Sequence, residues 1–427
     1  MVTVDWVRGG DTGLPIPAHI GALRQDPTTF LTNAFHAFGT LTPDNAVERV
    51  VRLGEVAGGS TGRKAVLTVE YTHPQPGLHT ELFVKFSRDF DNAIRDVGRT
   101  QMEPEVRFAA LARTPGFPID VPATQFADYH RESGTGILIS ARIPFGVNGI
   151  ERQYHKCLDY EMPEQVQHYR ALITAVARLA GTQRSGRLPD HLVDLFPVDL
   201  QAATVGERRV LSPEQLDRRL TRLAEFVELH PGLFPAAVRC RQFLSRMAPE
   251  AVEVLGHEPA VWRHLAEADD YIALCHWNAN VDNAWFWRDG DGELRCGLMD
   301  WGCVSRMNVA MALWGALSGA ETDLWNDHVN DLLALFCDEV RRSGGPKLDA
   351  AVLARHLVLY ATLMGVTWLL DVPALVRARV PGAGPSLART DRGIRDDEAV
   401  RAPLQMLINV LNLWATRDLA RALRGIG

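Results

Sequence analysis

Between residues 47 and 143 apolar and polar positions alternate in short runs, and that period predicts strands. VERVVRLGEV and AVLTVEYTH are two of them, joined by the Gly-rich stretch AGGSTGRK. ELFVKFS is a third, and two more span 123–129 and 136–143, separated by RESGT. Between the third and fourth, MEPEVRFAALAR (102–113) changes to a helical period, with Pro104 at a tolerated early position. Upstream, Phe30, Leu31, Phe35 and Phe38 fall near one face of a helix predicted over 26–41. It belongs to an N-terminal extension, 1–45, that docks on the first lobe or caps a partner surface. After Pro144 and Gly146 the period turns helical, with helices predicted over 163–181, 214–229, 234–248, 258–269, 323–342, 348–370 and 396–425. Residues 372–397, rich in Pro, Gly and charge, read as a surface loop that could serve as a lid.

One stretch of the second half breaks the helical pattern. CHWNANVDNAWFWRDGDGELRCGLMDWG (275–302) reads as a tight loop, a short strand, a polar turn at 289–292, a second strand ending in Met299, and then Asp300-Trp301-Gly302. The pattern predicts one rigid hairpin holding His276, Asn278, Asn283 and Asp300. Asn283 offers an amide oxygen and Asp300 a carboxylate. Hard cations such as magnesium take a few oxygens of this kind and complete their shell with water and phosphates.

Composition narrows the function classes. At 427 residues and 47.3 kDa, with 46% hydrophobic and 23% charged residues, the chain is long enough for two lobes of an ordinary globular protein. A net charge of −7 and the absence of a long Lys/Arg run point away from nucleic acid and anionic membrane. The N-terminus lacks an apolar signal segment, and the apolar run 357–370 stops at Asp371, short of the roughly 18–20 residues a span requires. Six cysteines without C-x-x-C spacing read as reduced, mostly buried thiols. The expectation is a cytoplasmic protein with no nucleic-acid or membrane partner.

Two features of the strand region carry chemistry. Lys85 sits in the middle of ELFVKFS, where a lysine on a half-buried face needs an anionic partner. Glu103 and Glu105 lie in the first turn of the following helix, and Glu105 is preferred because the apolar face of Val106, Phe108, Ala109 and Leu111 follows it directly. A snorkelling edge-strand lysine and a glutamate favoured by the helix dipole are the bland alternatives. In the Gly-rich turn, Gly58, Gly59, Ser60 and Gly62 would let backbone amides approach phosphate oxygens, with Thr61 and Arg63 as further donors. Glycine turns also join many ordinary hairpins.

Taken together, Lys85, Glu105, His276-x-Asn278-x-x-x-x-Asn283 and Asp300-Trp301-Gly302 resemble the aminoglycoside/choline phosphotransferase-like family of the protein-kinase fold, with an ecdysteroid-kinase-like branch as an alternative. That family's signature is H-x-D-x-x-x-x-N, then a strand and D-x-x. Here Asn278 stands where the family has its catalytic Asp, and Ala180 where its A-x-L-H helix has histidine. The resemblance covers about 45–425. It implies an α+β, bilobal fold: a five-stranded antiparallel N-lobe (46–143) and a larger helical C-lobe (144–427) carrying the 275–302 hairpin. It further implies ATP contacted through Lys85, with Glu105 positioning the lysine, the adenine edge near 140–142, Mg2+ on Asn283 and Asp300, and His276 holding the loop.

Asparagine cannot take a proton, so Asn278 would orient an acceptor hydroxyl without deprotonating it; Asp282 is an alternative base. Losing positioned acid–base catalysis of about 10²–10⁴-fold costs roughly 3–5 kcal/mol of barrier. The leading expectation is an ATP- and magnesium-dependent small-molecule phosphotransferase. Alternatives are a nucleotide-binding pseudokinase acting as scaffold or regulator, and another phosphate-linked reaction such as nucleotidyl transfer. Trp277, Trp285, Trp287 and Trp301, without a dense acidic surface, favour an uncharged or apolar hydroxylated acceptor. Acceptor identity and oligomeric state stay open.

Overall fold

Five antiparallel strands carry out the alternation of the first third of the chain. In the computed structural model, which describes residues 4–59, 61–204 and 208–426, a small hairpin of β1 (Trp6–Arg8) and β2 (Pro15–Pro17) precedes them. The five are β3 (Val47–Val56), β4 (Arg63–Tyr71), β5 (Glu81–Phe86), β6 (Thr124–His130) and β7 (Thr135–Ala141), in the order β3-β4-β5-β7-β6. All neighbouring pairs are antiparallel. The chain divides into two units: Met1–Asn148 with Leu188–Phe196 and Leu298–Val304, and Gly149–Arg187 with Pro197–Gly297 and Ser305–Gly427.

In the first unit the pleat sends alternate residues to opposite faces of the sheet. Leu82, Val84, Phe86, Phe126, Ile137 and Ile139 share one core with Phe30, Leu31 and Phe35 of the helix Pro27–Phe38. Pro27 opens that helix and Gly39, at φ 72°, closes it. Ile16 and Leu23 lie in the same core, so the 4–41 segment contributes side chains to this unit's interior. Ala127, Tyr129 and Leu138 face the other way, onto Met102, Val106 and Ala109 of the helix Met102–Ala112. Lys85 is paired directly with Leu138 and therefore shares its face. Register thus delivers the lysine to the helix that bears Glu105.

The second unit is mostly helical. The 275–302 stretch, which runs from this unit into the Leu298–Val304 segment of the first, forms two ladders where one hairpin was expected. β8 (Ile272–His276) pairs with β11 (Val304–Asn308), and β9 (Ala284–Arg288) pairs with β10 (Leu294–Leu298) across the turn at 289–292. His276 therefore ends a different strand, and the loop 277–283 lies between the ladders.

Four expected helices are corrected, the first two being 234–248 and 258–269. Residues 241–267 form one helix, although Pro249 and Pro259 stand inside it. Its buried stripe of Phe243, Met247, Ala251, Val254, Val261 and Leu265 offsets a proline penalty of about 3 kcal/mol each. The expected helices 323–342 and 396–425 are each divided, at His328 and at Arg417–Asp418. The 372–397 segment is anchored: Val372–Arg379 is a helix burying Val372, Pro373 and Val376. The stretch Ala350–Arg379 is long and apolar enough to cross a membrane, but 83% of its apolar window is buried inside the protein, as in a core helix.

Candidate active site

The first unit assembles a charge triad. Lys85 Nζ donates to Glu105 Oε1 at 2.6 Å and to Asp300 Oδ1 at 2.8 Å. Glu105 is buried, whereas the Asp300 side chain is 42% exposed and so open to a ligand. Asp300 has φ 64° and ψ 63°, a left-handed conformation that costs a non-glycine residue about 1–3 kcal/mol. The following residue holds it there. Trp301 N donates to Glu105 Oε1 at 3.2 Å, its indole Nε1 donates to Leu298 O, and its ring stacks on Phe108 at 3.7 Å.

Burial alone would lower the lysine's pKa, but the charges of Asp300 and Glu105 outweigh it and hold Lys85 above its ordinary value. Burial raises the Glu105 carboxyl, and Asp300 adds to that rise against the pull of Lys85. One ammonium thus serves two carboxylates.

The Gly-rich turn between β3 and β4 is built as glycine requires. Gly58, Gly59 and Gly62 have φ of 117°, 78° and 54°, and a Cβ on Gly62 would come within 2.0 Å of Phe86 O. Ser60 lies outside the described residues. Arg95, from the helix Ala93–Val97, donates to Gly62 O at 2.6 Å and to Gly58 O at 3.1 Å. Lys64, paired with Lys85 in the sheet, packs its amine against Gly59. Burial depresses its pKa, and Asp300 works against that shift while Lys85 reinforces it. Sequence reasoning missed Lys64 and Arg95. Neither carries a local signal: Lys64 stands opposite Lys85 only through the register of the sheet.

The second unit holds the loop. His276 is fully buried and its Nδ1 accepts from Asn278 N at 3.1 Å, a contact between the side chain and the loop's backbone. Asn283 Nδ2 donates to Asn278 O at 2.9 Å, which makes Oδ1 the acceptor corner of that amide. Asn278 itself is half-buried. Its Oδ1 accepts from Asn280 Nδ2 at 2.6 Å and from Lys156 Nζ at 3.2 Å. Lys156 also lies 3.7 Å from Asp282 Oδ2. No periodicity or motif in the sequence around Lys156 announced it.

Lys85, Glu105 and Asp300 thus meet in the first unit, beside Gly58, Gly59 and Gly62; His276, Asn278 and Asn283 meet in the second. Beyond them, Asp159 is buried and accepts from Tyr169 Oη at 2.5 Å. Its carboxyl is pushed up to about 7, chiefly by burial, with Glu321 adding to the rise and Tyr169 and Arg389 opposing it.

No protein-family model matches the chain, and no curated protein does. Solved structures do resemble it. An ethanolamine kinase from Plasmodium vivax is 12% identical, with 83% of this chain and 80% of that one covered at a TM-score of 0.41. A spectinomycin phosphotransferase, in complex with ADP and spectinomycin, is 10% identical over 86% and 93% at 0.40. A choline/ethanolamine kinase family protein from Mesorhizobium loti is 14% identical over 84% and 92% at 0.37. Likeness at this level leaves the chemistry to the side chains.

Proposed function

We propose that the protein is an ATP- and magnesium-dependent phosphotransferase that moves the γ-phosphoryl group to an oxygen of a small molecule. The observation that carries this reading is Lys85 held between Glu105 and Asp300. In kinase-type phosphoryl transfer a strand lysine contacts the phosphates, a helix glutamate fixes it, and an aspartate beyond the catalytic loop holds the metal. Lys85, Glu105 and Asp300 supply those three charges in that chain order.

The remaining roles follow from position. The glycines of the β3–β4 turn let backbone amides reach phosphate oxygens, and Arg95 fastens the turn through its carbonyls. Among the described residues no three His, Cys, Asp or Glu side chains cluster for a metal. Magnesium suits such a donor set, because it keeps several waters and takes one or two carboxylates with substrate phosphates. The exposed carboxylate of Asp300 fits a cation and would hold it. There it would neutralise charge on the β- and γ-phosphates. His276 keeps Asn278 at the acceptor's side of the reaction.

Asn278 favours a second reading, a nucleotide-binding pseudokinase, since its oxygen already accepts two hydrogen bonds and cannot take a proton. Calorimetric titration with ATP, with and without Mg2+, tests what both readings share. Magnesium-dependent binding that Asp300→Ala weakens about tenfold or more is the expected result. Absence of ATP binding to the intact protein would sink both. Sustained ADP release then separates the enzyme from the pseudokinase.

A further inference from the structure

An aspartate at position 278 would accept a proton from a hydroxyl nucleophile. The structure furnishes the opposite polarity. A lysine ammonium is donor-only, so the Asn278 atom that faces Lys156 is its oxygen, and the Asn280 amide nitrogen approaches the same atom. With two donors on Oδ1, the carbonyl's two lone pairs are committed, and the other corner of the amide, Nδ2, is a donor. Position 278 therefore offers N–H groups and an adjacent cation.

The cation is built in. Arg401 Nε donates to the backbone O of Lys156 at 2.8 Å, and Arg389 Nη2 donates to the backbone O of Cys157 at 3.3 Å. Cys157 takes φ 60°, and Arg389 is itself fixed by a bidentate pair with Glu321. Asp282, 3.7 Å from Lys156, offsets part of its charge, while Asn278, at 3.2 Å, is neutral.

Resting on the phosphotransferase reading, we propose that the acceptor presents an oxygen that is already anionic, a carboxylate or a phosphate monoester, and that Asn278 and Lys156 are its binding groups. Such a nucleophile needs no base. One of its oxygen lone pairs forms the bond to the γ-phosphorus, the bond from that phosphorus to the β–γ bridging oxygen breaks, and the electron pair leaves with ADP. No proton moves. Asparagine is then the fitting residue: a carboxylate at 278 would repel the nucleophile and capture Lys156 in an ion pair. This class differs from the hydroxylated acceptor expected from the sequence, since a hydroxyl nucleophile would meet donors at position 278 where it needs an acceptor.

The test is ADP release from Mg-ATP by the full chain, supplied in turn with a pool of small carboxylates, a pool of phosphate monoesters and a pool of small alcohols. Hydroxylamine traps any acyl phosphate as a hydroxamate, which distinguishes a carboxylate acceptor from a phosphate one. One anionic pool should accelerate ADP release about tenfold or more over the alcohols. Asn278→Asp should lower that rate about tenfold or more, and Lys156→Met should raise KM for the anionic acceptor while Lys156→Arg restores much of it. Stimulation by alcohols alone, or a faster Asn278→Asp enzyme, overturns the proposal. So does ATP binding without stimulation by any pool. Failure to bind ATP instead removes the underlying phosphotransferase reading, and calorimetry on the same samples tells the two apart.

Discussion

Lys85 donates a 2.8 Å hydrogen bond to Asp300, 215 positions further along the chain. Because Glu105 shares the same ammonium at 2.6 Å, removing the lysine leaves a buried carboxylate beside a second one with no cation between them. Stranding a buried charge in this way typically costs about 3–5 kcal/mol. Lys85→Met should therefore lower the melting temperature by several degrees, and adding Glu105→Gln should recover part of the loss. A Lys85→Met protein that melts with the parent would show that the triad does not hold this unit together.

Asp159 sets a pH dependence of stability. Its folded pKa of about 7 lies above the usual 3.8, so between these values the folded protein keeps a proton that the unfolded chain has lost. Stability from this group is full below about pH 4 and declines as pH rises through 7, by up to about 1.4 kcal/mol for each unit of separation. Denaturant midpoints measured from pH 4 to 8 should fall along this window, and Asp159→Asn should flatten the slope relative to the parent. An unchanged slope in the variant would assign the effect elsewhere.

Gly62 is the tightest point of the β3–β4 turn. A side chain there meets both a left-handed φ of 54° and the Phe86 carbonyl at 2.0 Å. Gly62→Ala should cost about 1–3 kcal/mol or more in stability. Gly58→Ala, whose Cβ meets nothing within 4 Å, isolates the conformational part alone. A Gly62→Ala protein that melts with the parent would contradict the close approach at Gly62.

Phe35 tests whether residues 4–41 are structural. It is fully buried among strand residues of the first unit, and truncation of such a phenylalanine costs about 3–5 kcal/mol. Phe35→Ala should destabilise the protein to that extent, measured as a shift in urea midpoint. A midpoint within error of the parent would make the segment a dispensable arm.

The legible parts of this molecule were those with a local period. Lys85 and Glu105 could be read because alternation assigned one to a strand and the 3.6 period placed the other in the first turn of a helix, facing an apolar stripe. The loop from His276 to Asn283 was legible as a spacing of polar residues. What escaped were residues whose environment is made by distant chain. Lys64 looks like an ordinary strand-end lysine until register sets it opposite Lys85. Lys156 sits in a stretch without periodicity, and only the fold brings it to Asn278. Arg389 lies in a segment that composition marked as solvent-facing, yet its pairing with Glu321 and the backbone of Cys157 anchors it.

The composition of the first unit also bears on how the protein is made. Its last seven residues, Leu298–Val304, are separated from Asn148 by some 150 residues that mostly build the other unit. At about 5–20 residues per second, a ribosome needs roughly 8–30 s to bridge that gap. Throughout that interval the emerging sheet and its helix carry Lys85 and Glu105 without Asp300 or the indole of Trp301, so the nascent unit waits with its charge cluster incomplete and the Phe108 ring uncovered. Only once Leu298–Val304 has emerged can that cluster be completed, so translation of the second half of the message sets the earliest moment at which the first unit matures.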